Sequence, residues 1–201
     1  MSNLIKDNAI IADEWTRVTP PTLGEETVRK QAGKVVLFKL TGEETFSAEQ
    51  IAATQIPAGK VLVPFAVWRA NKDALASRVS QGEVGLLIAT HEAIEDVIAE
   101  VKDINAFALV AVYVERFADG RIFSLGTLLR SRYGYKNELR AFGDVLRDQL
   151  FFLKRSGYTS FAIRKDRSAQ EAIASLNDFS KPYQGAVDDA QPVFRRYNRS
   201  T

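Results

Sequence analysis

Three continuous apolar runs, each followed by a segment of helical spacing, constrain this chain more than any other feature. Residues 61–68 (VLVPFAVW), 84–89 (VGLLIA) and 107–114 (FALVAVYV) show no alternation of apolar and polar positions, as expected of strands buried on both faces. Asn71 can cap a helix reaching about Ser80. Thr90 can cap another, whose apolar positions Ile94, Val97, Ile98 and Val101 recur at three- and four-residue steps. Strands alternating with amphipathic helices build a parallel sheet. The expectation is an α/β fold whose mainly parallel sheet has about five or six strands and helices on both faces, either an open three-layer sheet or a partial barrel.

Outside this repeat, residues 35–40 (VVLFKL) read as a first strand and 46–55 as a short helix that ends before Pro57. Ser124 can cap a helix with Leu125, Leu128 and Leu129 on its inner side and Gly134 at its end. Leu139, Phe142, Leu146, Leu150 and Leu153 then recur at helical steps. The favoured reading is one long helix from about 138 to 155, closed by Gly157. The competing reading is a strand over 138–144 and a helix over 145–156. The helix is preferred because the segment is rich in helix formers, and because a buried parallel strand rarely carries Glu138, Arg140 and Asp144. Residues 158–164 read as a strand, and Ser168 with Glu171 as the start of a helix reaching about Phe179. Three regions result: an N-terminal arm or hairpin (1–34) with a lone Trp15 and Pro20-Pro21, a single α/β domain (35–180), and a polar C-terminal tail (181–201) whose Phe194-Arg195-Arg196-Tyr197 is a short motif for docking.

A chain of 201 residues, 46% of them apolar, suffices for one core. Its 27 basic and 25 acidic side chains nearly cancel, to +2, which gives no field for nucleic acid or an anionic membrane. No apolar run is long enough to span a bilayer and no signal-peptide pattern opens the chain, so a cytoplasmic location is expected. The chain has no cysteine and one histidine, His91. Thiolate-held iron–sulfur clusters, disulfides and thiol redox chemistry are thereby excluded, and a metal site built on imidazoles is not expected. No glycine-rich nucleotide fingerprint, phosphate-binding loop or nucleophile elbow follows a strand, so no cofactor is evident. His91 reads as an ordinary residue beside a strand end.

The segment 115–157 holds seven of the sixteen arginines, interleaved with Asp119, Glu138, Asp144 and Asp148. It begins where the third apolar run ends, on the edge where parallel α/β sheets bind ligands. Arg116 and Arg121 can present planar forks to an anion while Asp119 orients one of them, or the three form a turn with ion pairs to the next helix. On the helical reading Arg140, Asp144, Arg147 and Asp148 form one polar stripe, either an Arg–Asp ladder or a docking surface. Gly143 within it suggests close approach by another backbone or a ligand. The candidate anion- or partner-binding residues are therefore Arg116, Asp119, Arg121, Arg140, Asp144 and Arg147, with no catalytic or metal set assigned. Tyr133 and Tyr135 either cover the same edge or pack in the core.

The run FADGRIFSLGTLLR from Phe117, followed by YGYKNELRAFGDVLRDQLFFLKRSGY, resembles a bacterial family of unknown function described as an oxidoreductase involved in sulfite reduction. The resemblance is strong over 117–161 and looser over Asp13-Glu14-Trp15 and the middle strands. Members of that family are typically encoded beside the haemoprotein subunit of an assimilatory sulfite or nitrite reductase. The resemblance implies an accessory protein of sulfur assimilation, partnering that haemoprotein or its electron supply. It cannot be the haemoprotein, whose cluster needs thiolates. The alternative is a small enzyme or carrier that binds an oxyanion or anionic cofactor at the strand carboxyl ends.

Overall fold

The structure, a computed structural model, describes residues 3–21 and 46–196; the strand expected over 35–40, the polar stretch 24–34 and Tyr197 lie outside them. A hairpin opens the described chain, β1 (Leu4–Lys6) pairing antiparallel with β2 (Ala9–Ile11). Its two turn residues, Asp7 and Asn8, have φ of 52° and 57°, the conformation a two-residue hairpin turn requires and Asp and Asn tolerate. A two-residue strand, β3 (Thr16–Arg17), follows. Helix α1 (Ala48–Ala52) starts at Ser47, whose side chain accepts from the Gln50 amide while the Gln50 side chain accepts from the Ser47 amide.

The repeat of strand and helix then runs β4 (Val61–Pro64), α2 (Phe65–Ala70), α3 (Lys72–Ser80), β5 (Val84–Ala89), α4 (Ile94–Val101), β6 (Leu109–Val114) and α5 (Arg121–Ser131). The expected strand over 61–68 stops at Pro64, and 65–70 are helical, because a proline donates nothing to the ladder and serves as an element boundary. Asn71 gives no side-chain cap; its amide donates to the Val67 carbonyl at 2.9 Å. Nor does Thr90 cap α4, which begins four residues later. Ser124 lies inside α5.

The long helix favoured over 138–155 is absent. Residues 138–143 form a strand, β7 (Glu138–Gly143), followed by a 3₁₀ turn at Arg147–Gln149 and α6 (Leu150–Arg155), which is the competing reading. Of the charges that argued against a strand, Glu138 and Arg140 sit toward its amino end and Asp144 follows its carboxyl end, and other chain segments satisfy all three. β8 (Ser160–Ala162), α7 (Ala169–Ala172) and a short α8 (Val193–Arg196) complete the elements. Ser168 accepts from the Glu171 amide at the start of α7. The segment after Phe179 docks back on α6, with the Val187 amide donating to the Arg155 carbonyl at 3.0 Å.

Among the described residues the sheet has eight strands rather than five or six, in the order β2-β1-β8-β7-β6-β5-β4-β3. β3 through β8 run parallel; β1 is antiparallel to both β8 and β2. Residues 12–15 join the two edge strands β2 and β3. Four residues reach at most about 18 Å, whereas seven flat inter-strand spacings measure about 34 Å. The sheet must therefore curl, as a partial barrel. Contacts across the concavity agree: the Arg17 guanidinium on β3 lies 5.2 Å from the Phe142 ring on β7, four strands away.

Among the described residues, helices cover one face only. Phe65, Trp68, Leu75, Val97, Ile122, Leu129 and Leu153 from the described helices join one core with the outward strand residues Val63, Leu86, Ile88, Val110 and Val112. The inward residues Leu62, Leu87, Leu109 and Ala111 form a separate small cluster, backed by Trp15, Tyr113 and Phe142 and containing no helix residue. Both faces of the central strands are thus apolar, one against helices and one against the barrel interior.

Gly143 ends β7 with φ of 109°, and a Cβ there would run into the Val114 carbonyl oxygen of β6. The close approach inferred from sequence is real, but the neighbour is a strand. Gly143→Ala should lower the unfolding free energy by at least about 2 kcal/mol, read from urea denaturation. An unchanged midpoint would mean the end of β7 relaxes freely.

Candidate functional site

The carboxyl ends of β3 to β6 surround a cavity of about 80 Å³. Its floor is Leu87 and Ala89 of β5 with Pro64 of β4, and its walls include Arg17, Tyr113, Glu115, His91 and Glu92. Period-two alternation places them there: Leu87 and Ala89, then Tyr113 and Glu115, are successive inward positions. Tyr113 and Phe142 sit side by side on β6 and β7, ring centroids 5.8 Å apart. Over both lies the Arg17 guanidinium, 4.8 Å from the Tyr113 centroid. No carboxylate among the described residues pairs with Arg17, which lies against the aromatic rings.

On the other side of the cavity the chain turns sharply after β5. The Glu92 carboxylate accepts from the Ala89 amide at 2.7 Å, and the Glu92 amide donates to the Ala89 carbonyl. Burial pushes the Glu92 carboxyl above its usual value, partly offset by that amide and by Arg69. His91 belongs to this turn and lines the cavity, not the first turn of α4. Next to it the Thr90 hydroxyl donates to Asp119 at 2.5 Å, and Arg121 grips the same carboxylate through Nε and Nη2, both at 2.9 Å. Burial opposes the charge on Asp119, but the Arg121 and Thr90 bonds outweigh it and hold the carboxyl below its ordinary value.

The structure brings some of the six residues singled out in the sequence together and separates others. Asp119 and Arg121 form one unit beside the cavity mouth. Arg116 stands three residues before Asp119 in the same loop, its carbonyl accepting from the Asp119 amide. Asp144 also lies at the carboxyl end, engaged by the Phe117 amide at 2.9 Å and the Arg164 guanidinium at 2.7 Å. Arg147 is exposed on the outside, along a groove with Asp148, Arg167 and Glu171. Arg140 is at the opposite end of the barrel, 2% exposed. Its Nη2 donates to Glu138 at 2.7 Å, its Nη1 to Asp13 at 2.9 Å and its Nε faces Ser160 at 3.3 Å. Lys6 of β1 completes the group, 2.7 Å from Glu138. Tyr135 is core, buried beneath the Phe107 and Glu138 carbonyls.

Arg17, Tyr113, Phe142 and Glu92 were not singled out from the sequence. The strand that aims Arg17 inward is two residues long, too short for alternation to be read, and Tyr113 is hidden inside an unbroken apolar run.

Residues 85–194 match DUF934, a family of bacterial proteins of unknown function. The chain belongs to this family. No curated protein and no solved structure matches it. Within DUF934 the matched span takes in β5 to β8 and hence the Glu92, Tyr113 and Asp119 side of the cavity, while Arg17 and Lys6 lie before it. No helix among the described residues is long and apolar enough to cross a membrane.

Burial works against the charge on Glu138, yet bonds from Lys6 and Ser160 and the Arg140 guanidinium hold its carboxyl below the usual value. A carboxyl depressed in the folded state contributes stability above its unfolded pKa of about 4.3, and that contribution is lost as the pH falls through the lower folded value. Urea midpoints measured from pH 7 to pH 3 should therefore fall in the acid range for the wild type and flatten there for Glu138→Gln, which starts less stable at pH 7. Parallel pH profiles for the two proteins would remove Glu138 from the account.

Proposed function

We propose that this protein is a non-catalytic accessory protein of assimilatory sulfite reduction, binding the reductase haemoprotein or its electron supply. The observation that carries the reading is the resemblance over 117–161 to proteins encoded beside that haemoprotein. The absence of cysteine narrows it, since a cluster-bearing subunit needs thiolates. A binding role is further supported by an exposed aromatic patch: Phe152 and Phe179 are 52% and 57% exposed with ring centroids 6.4 Å apart, and Tyr183 and Phe194 add to it. Contiguous exposed apolar surface of this kind favours partner contact.

A second reading is supported by the cavity itself. A concave site at the carboxyl ends of a curled, mostly parallel sheet, holding a guanidinium that no carboxylate among the described residues pairs with, suits a small enzyme or carrier for an anion. The four arginines first considered for this role do not converge: Arg140 is at the far end and Arg147 outside. Arg17 takes their place in this reading.

The two readings separate by experiment. Tagged protein should enrich the reductase haemoprotein from extract of its bacterial host, and deletion should slow growth on sulfate or sulfite but not on cysteine. Normal growth of the deletion strain together with no enrichment overturns the accessory role and leaves the ligand-binding reading standing.

A further inference from the structure

The carboxyl-end cavity is chemically two-sided. One wall is the Arg17 guanidinium, its Cζ 4.8 Å from the Tyr113 ring centroid and 5.2 Å from that of Phe142. A guanidinium held against rings keeps N–H donors with which arginine takes a planar carboxylate or another oxyanion through paired bonds. The rings also remove water from one side, which strengthens that attraction. The other wall is made of acceptors: Glu115, following Val114 at the end of β6, and Glu92 on the turn after β5. A ligand of several negative charges would meet Glu115 in repulsion. A bare cation would meet Arg17. The volume of about 80 Å³ equals that of roughly five or six ordered waters at about 15 Å³ each, which limits the enclosed part to a few heavy atoms.

We propose that this cavity binds a small singly charged acid that also carries a hydroxyl or amine donor, its anionic group on Arg17 and its donor on the Glu92 and Glu115 side. The inference rests on the second functional reading and deepens it by naming the ligand class and its anchor. Arg17 is the binding determinant; Tyr113 and Phe142 are positioning residues that hold its guanidinium at the cavity wall. The Thr90–Asp119–Arg121 unit supports the β5 turn from behind, with Asp119 already committed to two partners.

The single histidine provides the readout, because His91 lines the same cavity and its imidazole resonances are unique in the chain. The probes are glycolate and glycine (acid plus donor), acetate and sulfate (acid only) and ethanolamine (donor only), each titrated against the full-length protein and followed by NMR at His91. Saturable shifts are expected with glycolate or glycine. Acetate and sulfate should bind at least about tenfold more weakly, and ethanolamine should give none. Arg17→Met should weaken glycolate or glycine binding at least about tenfold, the order of one charge-assisted bond, with Arg17→Lys intermediate. Because Arg17 is exposed on a two-residue strand, these variants should keep the wild-type urea midpoint, which checks that the loss is local. Glu115→Gln should narrow the difference between glycolate and acetate. Shifts with sulfate or acetate that equal or exceed those with glycolate and glycine overturn this inference while leaving anion binding at the strand ends intact. No shift with any probe overturns both, and an Arg17→Met titration matching the wild type overturns the assignment of the anchor.

Discussion

A buried guanidinium at the amino end of β7 holds the curled sheet together. Arg140 reaches a carboxylate on its own strand, a hydroxyl on β8 and, through Asp13, the segment that links the two sheet edges. Lys6 brings β1 onto the same Glu138. Moving such charges out of water is expensive, and a buried ion pair by itself argues little for stability. Here the cost is met by nearly complete pairing and by what the pairing specifies. One side chain ties β1, β7, β8 and the 12–15 link into one register, so that the sheet curls instead of lying open. Loss of one partner would leave the others buried and unmatched.

Curling gives the two faces different tasks. The convex face carries the helices and almost the whole apolar core, whereas the concave face holds only a thin apolar layer around Leu62, Leu87, Leu109 and Ala111. That layer separates two polar ends. The amino end is closed by the Arg140 network, in which the described charges are matched. At the carboxyl end, Arg17 faces aromatic rings and two glutamates line the other side. An end whose groups satisfy one another is structural, and an end where a cation meets no carboxylate among the described residues has capacity to bind. The working end of the molecule follows from that difference in pairing.

Much of this was legible in the chain. The apolar runs at 84–89 and 107–114 are strands, the segments between them are helices, and the sheet is mostly parallel. The Ser168 start of α7 follows from local hydrogen-bonding chemistry. Other features were not legible. Leu139, Phe142, Leu146, Leu150 and Leu153 recur at helical steps, yet Phe142 faces the barrel interior from a strand while Leu150 and Leu153 face the outer core from a helix. The periodicity there joined two elements, because apolar residues three and four positions apart recur across the junction of β7 and α6 just as they would along one helix.

Local patterning therefore determined the middle strands and helices, the mostly parallel α/β class and the exclusion of thiolate chemistry, since each depends on side chains within a few positions of one another or on their absence from the chain. The tertiary structure decided the curl, the partners of Arg140 and the site at Arg17. All three depend on contacts across long stretches of sequence: Asp13 meets Arg140 over 127 positions, and Arg17 meets Tyr113 and Phe142 from the far edge of the sheet. Whether a charged residue can lie inside a strand is settled by what the fold places opposite it, and no local pattern carries that information.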